Sequence, residues 1–207
     1  MPASRRPGRL LVMKDIQPPL YGLVLAGGLS ERMGADKGLL NYRGKPHREW
    51  LADQLAPLCE QVFISCRPEQ VAELPQGYRG LPDRAPNLGP AGGLLSAAAA
   101  QPGAAWMAVA CDLPLLDADT LAVLIEARDT SADATAFFSP YINGPDPLAA
   151  IWEPTALALL ADGQHKGPFK TLISARVRLI HLDDASVLAN VNTPGARAEA
   201  QARLKKP

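Results

Sequence analysis

Residues Trp106 to Cys111 read WMAVAC, six residues with no charged side chain, and the run stops at Asp112. A stretch that short and that apolar suits a strand at the centre of a parallel sheet, covered by helices on both faces. Other runs behave similarly: Leu23 to Leu25 empties into Gly27 and Gly28, Gln61 to Cys66 reads QVFISC, and Tyr78 to Pro82 ends at Asp83. Helical patterns fall between them. Trp50, Leu51, Leu55 and Leu58 recur at helical spacing across His47 to Cys59, Pro68 opens a short helix to Leu74, and Leu94 to Gln101 is rich in alanine. Asp117 and Asp119 open a further helix over residues 117–128, where their charge suits the helix dipole. Strands are expected at Ala134–Ser139 and Leu148–Trp152, antiparallel across a turn at Asn143 to Asp146. Helices at Pro154–Asp162 and Pro168–Ala175, a strand at Arg176–Leu182 and a closing helix at Gly195–Lys205 complete the chain. Strands alternating with helices predict a three-layer α/β/α sandwich, mainly parallel, with a mixed edge in the second half.

The 207 residues suit one domain. We expect it to span residues 21–207. Residues 1–20 carry four prolines and scattered basic residues without a period, which reads as a flexible N-terminal extension. Basic and acidic residues balance at 21 each, so nothing favours nucleic acid or an anionic membrane as a general partner. The apolar cluster Leu10 to Met13 is too short for a signal core, no run is long enough to span a bilayer, and the expectation is a cytoplasmic protein. Cys59, Cys66 and Cys111 have no metal-ligand spacing and read as small core residues.

In open α/β sheets, ligands bind beyond the carboxyl ends of the strands. Gly27 and Gly28, Asp83 and Asp112 all fall there. The glycine pair lets backbone N–H groups approach an anion, while Arg32 can fork onto phosphate oxygens and Lys37 can reach them as a point charge. The segment AGGLSERMGADK has neither P-loop order nor GxGxxG spacing, which disfavours an ordinary ATPase or a nicotinamide site.

LAGGLSERMGADKGLL with GKP at Gly44 to Pro46, PDRAPNLGPAGGLLSA, CDLPLL, DPLAAIWEP and NVNTP occur in that order. Together they resemble the molybdenum cofactor guanylyltransferase family, a Rossmann-like nucleotidyltransferase group, over roughly residues 21–200. The resemblance implies a Mg2+-dependent enzyme that transfers GMP from GTP to the phosphate of Mo-molybdopterin and releases pyrophosphate. Its implied partners also include molybdopterin-loading proteins or the molybdoenzyme that receives the product. By resemblance, Leu25, Ala26, Gly27 and Gly28 hold the nucleotide, and Arg32 and Lys37 neutralise the triphosphate. Asp83 contacts the nucleotide, Asp112 holds Mg2+, and Asn190 and Asn192 face the pterin or the metal.

Two aspartates have plainer readings as caps, Asp83 of a turn and Asp112 of the turn after its strand. Lys166 and Lys170 read either as acceptor-phosphate ligands or as a solvated turn. Where the family often has an asparagine at the end of the second strand, this chain has Ser65 and Cys66. Cytidylyl transfer to the same acceptor remains an alternative, although those enzymes tend to carry LAAG where this chain has Ala26-Gly27-Gly28 after Leu25. A sugar-1-phosphate nucleotidyltransferase and a non-catalytic nucleotide-binding chaperone for a molybdoenzyme are more distant alternatives.

Overall fold

The structure, a computed structural model, describes residues 17–27, 36–84 and 88–205. Gly28 and Arg32, two of the expected nucleotide contacts, lie outside these residues. Seven strands make one sheet: β1 (Leu20–Leu25), β2 (Gln61–Cys66), β3 (Gly80–Pro82), β4 (Ala105–Ala110), β5 (Ala134–Ser139), β6 (Gly144–Trp152) and β7 (Val177–Ile180). Their spatial order is β3-β2-β1-β4-β6-β5-β7. The four strands from β3 to β4 run parallel, and only β6 runs against the rest, paired antiparallel with both β4 and β5. β7 lies parallel to β5 at the far edge. The mixed pairing expected in the second half is present, but the reversed strand is internal, two places from that edge.

Alternation along β4 explains the layers. Met107, Val109 and Cys111 face one side, where they join Leu51 and Leu55 of α1 (His47–Leu55) and Leu121 and Leu124 of α3 (Ala118–Glu126). Trp106, Ala108 and Ala110 face the other side. There they meet Leu94 of α2 (Pro90–Ala100), Leu157 of α4 (Pro154–Ala161) and Leu172 of α5 (Pro168–Ser174). Burial on both faces is why β4 needs no polar residue. Trp152 lies fully in this core, and its indole N–H donates to the Pro147 carbonyl at 3.0 Å. The chain closes with α6 (Pro194–Leu204), capped by the Thr193 hydroxyl.

Three boundaries differ from the sequence expectation for local reasons. α2 starts at Pro90 rather than Leu94, because Pro90 suits a first helical position and the poorly helical Gly92 and Gly93 are held by packing. A Cβ on Gly93 would lie 2.5 Å from both Leu25 Cδ2 and Ser65 Oγ, so glycine lets α2 sit directly on β1 and β2. The hairpin bend falls at residues 140–143, with Asn143 at φ 50°, and not at Asn143 to Asp146. Gly144, Pro145 and Asp146 instead extend β6, with Ser139 opposite Gly144 and Phe138 opposite Pro145.

Candidate active site

From β1 the chain runs outward to β2 and β3, then returns to β4 on the other side of β1, so strand order reverses between β1 and β4. Crevices at such reversals accept ligands in doubly wound sheets. Two of the expected site residues flank this one, Lys37 after β1 and Asp112 after β4.

Lys37 opens a short 3-10 turn, Lys37–Leu39, whose geometry is set by Asp36. One Asp36 carboxylate oxygen accepts from the Gly38 N–H at 2.9 Å. The other accepts from the Gln70 side-chain amide and lies 3.9 Å from the Arg67 guanidinium. Held in this way, the Lys37 ammonium donates to Asn192 Oδ1 and lies 3.6 Å from Asp112 Oδ2. The Val191 N–H closes the triangle by donating to the Asp112 carbonyl at 2.8 Å. The turn after β1, the end of β4 and the NVNTP segment therefore meet at one ammonium group.

Asp112 shows what this convergence costs. Its side chain is 17% exposed, and Oδ1 is buried without a hydrogen-bond partner among the described residues. Burial raises its pKa above the usual carboxylate value, against the lowering pull of Lys37. The neighbouring Cys111 thiol is pushed up to about 12, by burial first and then by the charge of Asp112. Free thiols at Cys66 and Cys111 are buried, consistent with core roles.

A second group lies across β1. Asp83 follows β3, its N–H donates to the Cys66 carbonyl at 3.0 Å, and its Oδ1 accepts from the Ser65 hydroxyl at 2.5 Å. Burial raises its pKa and the Ser65 bond opposes that rise. Gly27 completes the contact: a Cβ there would sit 2.7 Å from Asp83 Oδ2. Leu25 and Ala26 are fixed by backbone bonds, Cys111 N–H to the Leu25 carbonyl at 3.2 Å and Ala26 N–H to the Ser65 carbonyl at 2.9 Å. Beyond Asp83, the Arg84 N–H donates to Ser96 Oγ at 2.9 Å, and Gly89 at φ 54° turns the chain into α2. Only glycine adopts that conformation without strain.

Thus Lys37, Asp112 and Asn192 come together, and Gly27, Leu25, Ala26 and Asp83 form the neighbouring wall. Asn190 is exposed and its side chain makes no hydrogen bond among the described residues. Lys166 and Lys170 are exposed beside and within α5. Three polar residues that sequence reasoning did not credit also belong here: Asp36 as the anchor of the Lys37 turn, Ser65 as the partner of Asp83, and Asp146 on β6. Asp146 is 7% exposed and its pKa rises to about 6, from burial first and then the charge of Asp112, while the Leu148 N–H at 2.9 Å opposes the rise. The signal for Asp146 was present in GPDPLAAIW, which is long enough to be one strand once a turn is placed before Gly144.

Comparison with known proteins identifies the family. The model of the MobA-like NTP transferase domain matches residues 22–182. The chain is 40% identical over 182 residues to a molybdenum cofactor biosynthesis bifunctional protein of Synechocystis, covering 86% of this chain and 52% of that one, so it spans about half of that relative. It is 32% identical over 191 residues to a probable molybdenum cofactor guanylyltransferase of Deinococcus radiodurans, covering 89% and 95%. The crystal structure of molybdopterin-guanine dinucleotide biosynthesis protein A from Archaeoglobus fulgidus superposes with a TM-score of 0.73 at 23% identity, over 90% of this chain and 100% of that one. With the family model matched across most of its length and a relative of nearly equal extent at 32% identity, this chain belongs to the MobA-like NTP transferase family.

Proposed function

We propose that this chain is a molybdenum cofactor guanylyltransferase, which transfers GMP from GTP to the phosphate of Mo-molybdopterin and releases pyrophosphate. The observation that carries this reading is the ammonium of Lys37 held between Asp112 and Asn192 at the strand-order reversal. One cation there reaches both the nucleotide side and the acceptor side of the crevice.

An acceptor phosphate oxygen attacks the α-phosphorus of GTP, a new P–O bond forms, and the bond to the β-phosphate breaks. Such transfers need positioning and charge neutralisation more than a protein nucleophile. Lys37 neutralises the triphosphate and the charge that develops on pyrophosphate, and its bond to Asn192 sets its position. Leu25, Ala26 and Gly27 present backbone groups to the nucleotide, and Asp83, oriented by Ser65, contacts it from the adjacent strand. Arg32 and Gly28 extend the same loop in sequence. Asn190 and Asn192 face the pterin side.

The residues present suit Mg2+. Asp112 offers a hard carboxylate oxygen that is buried and has no hydrogen-bond partner among the described residues. When bound, Mg2+ neutralises phosphate charge at the reacting centre. Guanine is favoured over cytosine because cytidylyl enzymes tend to carry LAAG where this chain has Ala26-Gly27-Gly28 after Leu25, and here a Cβ at residue 27 would lie 2.7 Å from Asp83 Oδ2.

The test is to incubate the purified protein with Mg2+, Mo-molybdopterin and each nucleoside triphosphate in turn, then identify the dinucleotide by mass. A guanine dinucleotide is expected. A cytosine product overturns the base assignment, and the absence of product with every triphosphate overturns the transferase reading.

A further inference from the structure

We propose that Asp146 is a second carboxylate of the divalent-cation site, acting on the same ion as Asp112, directly or through a bound water. This rests on the transferase reading only in taking the ion as the one the family implies. The placement comes from β6. β6 runs antiparallel beside β4, paired from Trp152 opposite Trp106 to Ala149 opposite Val109, so the first part of β6, with Asp146, adjoins the end of β4, which Asp112 follows, and the charge of Asp112 is felt at Asp146.

Like charges at adjoining strand ends repel. The repulsion is not relieved by solvent, because Asp146 is 7% exposed and Asp112 Oδ1 is buried. Nor is it fully relieved by protein. One oxygen of Asp146 accepts from the Leu148 N–H, and its side chain has no other hydrogen bond among the described residues. Lys37 lies at Asp112 and already donates to Asn192. Among the described residues, the ammonium that reaches Asp112 is shared with Asn192, and a carboxylate pair of this kind is what a divalent cation meets with oxygen ligands.

The local sequence makes this arrangement rigid. Asp146 lies between Pro145 and Pro147, and the residue before a proline is steered into extended backbone. The backbone at Asp146 is thereby restricted, and the Leu148 N–H fixes one oxygen of its carboxylate. Aspartate is disfavoured in strand interiors and costly to bury, so its position here points to a ligand that offsets both penalties.

The experiment follows Mn2+ alone, by electron paramagnetic resonance of the free ion, with wild-type protein, Asp146→Asn and Asp112→Asn. Asparagine keeps the acceptor for Leu148 and removes only charge. Saturable Mn2+ binding that Mg2+ displaces is expected for wild type, weakened about 10- to 100-fold in Asp146→Asn and more in Asp112→Asn. Thermal melting provides a second readout. Without metal, Asp146→Asn should melt no lower than wild type, while the rise in Tm that Mn2+ gives wild type should shrink. Wild-type Mn2+ affinity in Asp146→Asn, or no saturable binding by wild type, overturns the proposal. Mn2+ binding through this pair without dinucleotide formation supports the metal assignment and counts against the transferase reading alone.

Discussion

Asp112 and His47 are both buried ionisable residues near the crevice, and they lead to opposite expectations for stability. Asp112 is held above its usual pKa by burial, so Asp112→Asn should not lower Tm. Under the proposed function, the same change should reduce guanylyl transfer at least about 100-fold, because it removes the carboxylate assigned to Mg2+. A turnover assay beside a thermal melt separates the two effects, and near-normal turnover would remove Asp112 from the mechanism. His47 sits at the start of α1, stacked on Trp50 with ring centroids 5.7 Å apart and edge-on to Tyr42 at 5.2 Å. Burial, and then the charge of Arg43, lower its pKa from 6.5 to about 4. The unfolded chain therefore binds a proton on this residue that the folded chain refuses between those values. The stability this gives is fully present above pH 6.5, and it is lost as pH falls toward about 4. The loss is roughly 3 kcal/mol. Urea midpoints measured across this window should fall for wild type, and His47→Leu should flatten the slope.

At the scale of elements, close approach of helices to strands matters more than helix propensity. Gly93→Ala would gain about 1 kcal/mol in an isolated helix. Within α2, however, the new Cβ would lie 2.5 Å from Leu25 Cδ2 and Ser65 Oγ, so the variant should lose about 1–3 kcal/mol and disturb the Ser65–Asp83 bond. Chemical denaturation measures the first effect and the KM for GTP the second. These contacts also mark what could be read in advance. Strand ends were legible wherever apolar runs stopped at Gly or Asp, as at Gly27, Asp83 and Asp112. Ser65 was not legible as a partner of Asp83, because their contact depends on the pairing of β2 with β3, in which Cys66 lies opposite Pro82. Asp146 was hidden for another reason. Asn-Gly-Pro-Asp has the local chemistry of a turn, and only pairing with β5 draws Gly144 to Asp146 into a strand.

For the whole molecule, one buried ion pair joins distant parts of the chain. Arg128, beyond α3, donates to both carboxylate oxygens of Glu153 at 2.7 and 3.0 Å and to the Pro18 carbonyl at 3.0 Å. Its side chain is 11% exposed and that of Glu153 is 3% exposed. Arg128→Leu would leave the Glu153 charge buried and alone at the start of α4, for an expected loss of about 3–5 kcal/mol. Replacing both residues with apolar ones should recover much of that, which a double-mutant cycle in urea would show. Among the described residues, no helix is long and apolar enough to cross a membrane.

The reversed direction of β6 divides the molecule in a way that bears on how its selectivity can change. Residues 20–112 build the four parallel strands and carry the glycine pair, Lys37, Asp83 and Asp112. The later chain comes back through a hairpin, so it meets the crevice at the beginning of a strand and again at NVNTP. Under the proposed function, substitutions in the hairpin and the final segment can alter the choice of acceptor while the choice of base stays with the first half. Exchanging residues 140–145 and 190–191 between relatives, with Asp146 and Asn192 kept, is thus a route to new acceptors for the same triphosphate.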